Sequence, residues 1–206
     1  MSTSLALSCK CGQFQAILHD VSGANGNRVM CHCKDCQSFA HYLERAEDVL
    51  DEYGGSDIFQ TSPMRLEVTQ GMEQLTCMRL KPKGLTRWHA KCCKTPIGNT
   101  MASPGMPFVG LISACMKPAD GQALDDILGP SRGRIHTQSA KGDTAQLKNT
   151  SILSMLAKFG GIIIKGRLQG AHKKSLFFDA QTRQPIVAPY ILSEAELQAV
   201  ETARDA

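Results

Sequence analysis

Residues 31–37 read Cys-His-Cys-Lys-Asp-Cys-Gln, which places three thiols within six positions. A hydrophobic core gains little from thiols packed so densely, whereas a metal ion gains much. Three protein ligands with a fourth position open is the pattern of a catalytic zinc site, so Cys31, Cys33 and Cys36 are the candidate working residues. Cys33 and Cys36 are spaced to sit near a helix N-terminus, whose partial positive charge favours thiolate. A redox Cys-x-x-Cys pair would want a βαβ context, and no such pattern surrounds these residues. His32 lies between two ligating residues on an extended segment, so its side chain is expected to point away. Gln37, next to the last thiol, could donate a hydrogen bond to a bound substrate or simply face solvent.

Seven of the nine cysteines fall in three clusters: Cys9 and Cys11; Cys31, Cys33 and Cys36; Cys92 and Cys93. A Cys-x-Cys turn can point two thiolates at one ion, and Gly12 lets the backbone curl around it. Zinc takes four ligands in a structural site, so Cys9 and Cys11 need a second pair. Cys92 and Cys93 are available if a β-sheet brings them close. Adjacent cysteines reach one ion only where the backbone between them bends. A closed four-thiolate site leaves no room for chemistry and turns binding energy into folding energy. Cys77 and Cys115 stand alone in strand patterns and read as buried small hydrophobes.

The elements that must position these thiols follow from the remaining pattern. The chain has 206 residues, 42% hydrophobic and 20% charged, enough for one globular domain with an appendage and a real core. The expected class is mainly β, α+β in detail: an antiparallel core of short strands closed by a structural zinc, with a few helices. Residues 5–19 read as two short strands around the first cysteine turn, and 23–27 as a turn. From 57 to 116 short strand-like runs alternate with Gly, Pro or Asn, including a single run over 108–116. Helices are expected mostly after residue 35, with Asp35 as cap, and in the C-terminal third. There Ile152, Leu156 and Phe159 share a helical spacing, and Ser193 with Glu196 forms a capping box. A short helix is expected from Ala46, stopped by Gly54 and Gly55. Residues 176–179 and 185–189 read as a small hairpin. The division expected is a zinc-binding β domain over 1–118 and an extension over 119–206 packed on it, carrying a basic cluster at Arg132 and Arg134.

Net charge is +4, which tolerates an anionic ligand without arguing for nucleic acid. No apolar run approaches the 18 or so residues of a membrane span, and the first residues lack the basic start and long apolar stretch of a signal peptide. No nucleic-acid or membrane partner is expected, and the cytoplasm is the expected compartment. Reduced cysteines there favour metal or catalysis over disulfides.

Cys-x-Cys-Gly at 9–12, Cys-His-Cys-x-x-Cys-Gln at 31–37 and a late cysteine pair followed by Thr-Pro-Ile resemble the glutathione-dependent formaldehyde-activating enzymes. The resemblance spans roughly residues 5–116, and its strength lies in the ordered set. It implies a zinc-bearing, mostly β fold and the addition of glutathione to formaldehyde, giving S-hydroxymethylglutathione. It also implies a structural zinc on the first and last cysteine pairs and a functional zinc on the middle trio. The last pair departs from the family's Phe-Cys-x-x-Cys-Gly-Thr, since the chain has Trp-His-Ala-Lys-Cys-Cys-Lys-Thr at 88–95. Aligned on Trp88, His89 takes the place of the first ligand and Cys92 the second. Aligned on Thr95, Cys93 is the second ligand and Ala90 replaces the first. The structural set expected is Cys9, Cys11, Cys92 and Cys93, with His89 as substitute for one of the last two.

Two functions stand against each other on these residues. In the first, the trio holds a labile zinc that accepts a small thiol such as glutathione, and the thiolate adds to an aldehyde or leaves it in reverse. Lys34, His32 and Arg87 are the candidate cations to offset the thiolate charge. In the second, the chain is a zinc-stapled binding module without turnover. A fourth protein ligand on the trio, His32 or His41, would favour the module.

Overall fold

The computed structural model describes residues 3–206. Strands β1 (Leu5–Ser8) and β2 (Gln15–Leu18) flank the first cysteine turn, and β3 (Asn27–Cys31) leads into α1 (Lys34–Tyr42) and α2 (Ala46–Val49). Then come β4 (Ser56–Thr61), β5 (Leu66–Gln70), β6 (Leu75–Arg79), β7 (Thr86–Ala90), β8 (Thr95–Thr100), β9 (Val109–Ile112) and β10 (Met116–Lys117). The C-terminal third holds α3 (Leu124–Leu128), β11 (Arg134–Ile135), α4 (Ile152–Leu168), β12 (Tyr190–Ile191) and α5 (Glu194–Asp205).

The fold is mostly β. A four-stranded sheet has the order β10-β1-β2-β5, and an eight-stranded sheet the order β11-β3-β4-β9-β8-β7-β6-β12. Pairing is antiparallel throughout, except where the two-residue edge strands β11 and β12 add in parallel to β3 and β6. Those two edges arrive by long connections from the C-terminal third, which leave strand direction free, whereas short turns in the core enforce antiparallel pairing.

Alternating residues explain the layers. Leu5 and Leu7 of β1 point inward and meet Phe14, Leu18, Trp88 and Leu111 in the largest core cluster. Trp88 is fully buried, donates its Nε1–H to Thr100 Oγ1 at 2.9 Å, and packs on Phe177 with ring centroids 4.9 Å apart. The C-terminal third therefore supplies part of the same core. A second cluster, with Phe39 of α1, Leu43 at its C-cap, Met78 of β6 and Leu192 before α5, packs the helices on the large sheet. Ser193 and Glu196 form the expected capping box of α5, and Arg204 Nη1 ties that helix to Ser38 Oγ of α1 at 3.0 Å.

Four local expectations differ from the structure. The helix from Ala46 ends at Val49 rather than at Gly54, because Leu50 is extended and bridges to Ser56. The run over 108–116 is not one strand: a 3-10 turn at Ser113–Cys115 separates β9 from β10, because the chain crosses here from the large sheet to the small one. The hairpin over 176–189 reduces to one bridge, Phe178 to Pro185, and prolines at 185 and 189 deprive the second segment of two amide donors. The helix expected around Phe159 runs on through Gly160 and Gly161 to Leu168.

Candidate metal centres

The β1–β2 turn and the β7–β8 turn lie side by side. Gly12 adopts φ +78°, so the first turn curls back, and its amide donates to Cys9 O at 3.0 Å. Lys94 adopts φ +55° in the second turn, directly after neighbouring Cys92 and Cys93, whose sulfurs both join the group. The Lys10 amide donates to Thr95 Oγ1 at 2.9 Å and fastens one turn to the other. Cys9, Cys11, Cys92 and Cys93 form a group whose ligand atoms all lie within 4.8 Å of one another. Sulfurs about 2.3 Å from a tetrahedral zinc stand about 3.8 Å apart. The Sγ separations here are 3.6 Å for Cys9–Cys11, 3.7 Å for Cys9–Cys92, 3.8 Å for Cys92–Cys93 and 3.3 Å for Cys11–Cys92. All are far beyond the ~2.05 Å of a disulfide. The group can hold a metal ion, and soft thiolates suit zinc. Arg45 donates twice to Cys93 O, at 3.2 and 2.6 Å, and braces the second turn from α2.

His89 does not enter this group. A register shift between Trp88 and His89 separates it from the cysteine turn, and its ring meets Phe39 on the α1 side, centroids 6.3 Å apart. Its Nδ1 is buried without a hydrogen-bond partner. Burial, with Lys94 adding repulsion, brings its pKa from 6.5 to about 4. The sign follows from proton counting. Between pH 6.5 and about 4 the unfolded chain binds this proton and the folded chain does not. The associated stability is complete above pH 6.5 and is lost as pH falls through about 4. His89→Leu should therefore be more stable than the parent protein by an amount that grows on acidification, by a few kcal/mol (roughly 2–3) at the acid end. Urea midpoints of the two proteins across that range check it, since metal loss common to both cancels in the difference.

The second group is Cys31, Cys33 and Cys36, again within 4.8 Å of one another. Cys31 ends β3. Cys33, rather than Asp35, is the N-cap of α1, its sulfur accepting the Cys36 amide at 3.4 Å; Asp35 lies in the first turn. A cap must have extended backbone, and φ −64°, ψ 144° at Cys33 supplies it. Cys36 Sγ lies 3.8 Å from Cys31 Sγ. Cys31 and Cys36 are buried and Cys33 is half-buried, so Cys33 marks the side open to solvent.

Arg87 is the cation beside this group. It is 2% exposed, with Nη1 3.8 Å from Cys36 Sγ and 3.2 Å from Asn99 Oδ1, and its guanidinium lies 5.4 Å over the Phe39 ring. Asp35, 61% exposed, stands 3.8 Å from Nη2. Contacts from Cys31 and then Cys33 outweigh burial and, with Arg87, hold the Cys36 thiol well below its ordinary range. Lys34 is exposed. Neither His32 nor His41 belongs to the group.

His32 is buried with Nδ1 3.2 Å from Tyr53 O and Nε2 3.0 Å from Arg134 Nη1. An Arg cannot accept, so Nε2 accepts and Nδ1 carries the proton. Burial lowers its pKa, which keeps the ring neutral and uncharged beside the trio. Arg134 also meets Asp51 Oδ2 at 3.1 Å. This Asp51–Arg134–His32 chain fastens β11 to the thiol-bearing loop. Its parts are scattered over more than eighty positions, and only the basic character of Arg134 was visible in the sequence. Gln37 corrects both readings made of it: it is buried and donates to His32 O and Ser139 O, each at 2.8 Å, so it pins the loop and faces neither substrate nor solvent. Cys77 and Cys115 are buried, as isolated cysteines should be.

Residues 1–187 match a family described as a family of unknown function, DUF6151. No curated protein matches. A crystal structure of a Rhodobacter sphaeroides protein, a structural-genomics target, is 19% identical and covers 61% of this chain and 96% of its own, with a TM-score of 0.40. No helix among the described residues is long and apolar enough to cross a membrane.

Proposed function

The chain belongs to the DUF6151 family of unknown function, and on that premise we propose that it is a two-zinc protein whose middle cysteines act on small thiols in the cytoplasm. Cys9, Cys11, Cys92 and Cys93 hold a structural zinc. Cys31, Cys33 and Cys36 hold a second, more labile one with a position free for a thiol such as glutathione. The observation that carries the reading is the trio without a fourth protein ligand among the described residues, beside a buried Arg87. Bound there, zinc would keep an incoming thiol as thiolate at neutral pH.

The rest is the work of this chain's residues. Cys31, Cys33 and Cys36 would bring three negative charges to a divalent ion, and Arg87 offsets the surplus. Cys33, the least covered of the three, sets the side from which a thiol approaches. A thiol held there, its proton released to solvent, would present its sulfur to the carbonyl carbon of an aldehyde such as formaldehyde. A carbon–sulfur bond forms, the carbonyl π pair moves to oxygen, and that oxygen takes a proton from water. The product is a hemithioacetal, nothing is oxidised, and the reverse step is a carbon–sulfur lyase reaction.

A non-catalytic binding module is the second reading. It is favoured by the burial of Cys31 and Cys36 and by Ile135, packed against their cluster, which narrows the approach. Cys36→Ser decides between the two. The expected result is loss of about one zinc per chain, loss of thiol-dependent formaldehyde consumption followed by NMR, and a fold that is largely kept. A parent protein that carries both zincs and consumes no formaldehyde with glutathione or any other small thiol would leave only the module.

A further inference from the structure

A cleft of about 310 Å³ opens between the 23–27 loop and α4, and no cysteine lines it. Arg65, Arg132, Lys158 and Lys165 line it, and no carboxylate does. Arg65 is paired, with Nη1 2.5 Å from Asp20 Oδ2. Arg132, Lys158 and Lys165 form no ion pair among the described residues; Arg132 reaches only Gly23 O, and Lys165 reaches Asn25 Oδ1 at 3.4 Å. Ser62 also lines the cleft. It is 7% exposed, and its Oγ is buried with no hydrogen-bond partner. A buried hydroxyl without a partner is costly, and a ligand acceptor in the cleft would satisfy it.

The cleft adjoins a second cavity of about 270 Å³, and Asn27, Arg132 and Lys158 line both. The second has an apolar wall of Val29, Ile135 and Met155. One end of the space is thus cationic and donor-rich, the other able to take an uncharged body.

We infer that this double cavity binds a small phosphomonoester, its phosphate held by Arg132, Lys158, Lys165 and the Ser62 hydroxyl and its body lodged against Val29, Ile135 and Met155. A phosphate dianion matches three unpaired cations and offers three acceptor oxygens, whereas a carboxylate would leave the charge largely unbalanced. Gly161 of α4 lines the cleft, and a Cβ there would project into open space. The inference does not rest on the zinc reading.

The test is calorimetric titration of the full metal-loaded chain with phenyl phosphate, inorganic phosphate and benzoate. Phenyl phosphate should saturate one site and bind about tenfold tighter than inorganic phosphate, because its ring is removed from water. Benzoate should bind more weakly than either. The exposed-helix change Lys165→Ala and the half-buried Lys158→Ala should each weaken phenyl phosphate binding by about tenfold. Gly161→Leu keeps every charge and fills the cleft, and it should abolish binding with little change in melting temperature. Equal affinity for phosphate and its phenyl ester would overturn the ester assignment. Undiminished binding by Gly161→Leu would overturn the site itself, leaving only diffuse attraction to a basic surface.

Discussion

Cys9→Ser is expected to remove one zinc and with it cooperative folding. Structural zinc on thiolates is worth about 10–16 kcal/mol in apparent binding energy, comparable with the ~5–15 kcal/mol that holds a whole domain together. Cys9 is 2% exposed, and its sulfur also accepts the Phe14 amide at 3.2 Å. Phe14 is fully buried in the largest core cluster, so the cysteine turn is continuous with the core. A serine hydroxyl reaches less far and binds zinc poorly. The checks are zinc per chain and a thermal melt, with Cys36→Ser alongside. Cys36→Ser should keep a sharp transition, and Cys9→Ser should have none or one lowered by more than about 15 °C. If Cys36→Ser melts as badly as Cys9→Ser, the division into structural and working sites is wrong.

The second large effect is expected at Arg87. A guanidinium that is 2% exposed needs an anion nearby, and its carboxylate, Asp35, is 61% exposed and 3.8 Å away. Cys36 Sγ stands at the same 3.8 Å but is buried, so a thiolate there is screened less by solvent than Asp35 and balances the cation better. Arg87→Met removes the cation and keeps much of the apolar stem over Phe39. It should weaken zinc at the trio by about 10–100-fold, as loss of a group that supports a ligand does, and destabilise the fold by roughly 3 kcal/mol. Arg87→Lys should recover part of the zinc affinity by restoring charge without the planar fork that reaches both Cys36 and Asn99. Zinc competition with a coloured chelator, together with urea midpoints, measures both. Full retention of the second zinc by Arg87→Met would remove Arg87 from the site.

Much of this protein is legible in its sequence. The three cysteine clusters are local, and close spacing forces their thiols toward common points. Short runs punctuated by Gly, Pro and Asn declared the antiparallel core, because period-2 burial and turn chemistry are written over a few residues. The α5 capping box was readable for the same reason. Other features depend on contacts between distant positions. Whether His89 or a cysteine completed the first group turned on a bulge in β7 and the left-handed bend at Lys94, neither of which has a firm sequence mark. Asp35 was the cap read from the sequence, and the extended backbone at Cys33 gave that place to the thiol. Gln37 and His32 looked available for chemistry until Ser139, Tyr53 and Arg134 closed around them. The cleft under α4 was invisible altogether, since Arg65, Arg132 and Lys158 meet only when the chain folds back on itself. Sequence spacing alone determined the trio, whose thiols share one turn, whereas the pairing of Cys9 and Cys11 with Cys92 and Cys93 needed the sheet to bring two distant turns together. Only tertiary packing decides which polar groups are already satisfied, because each partner comes from another part of the chain.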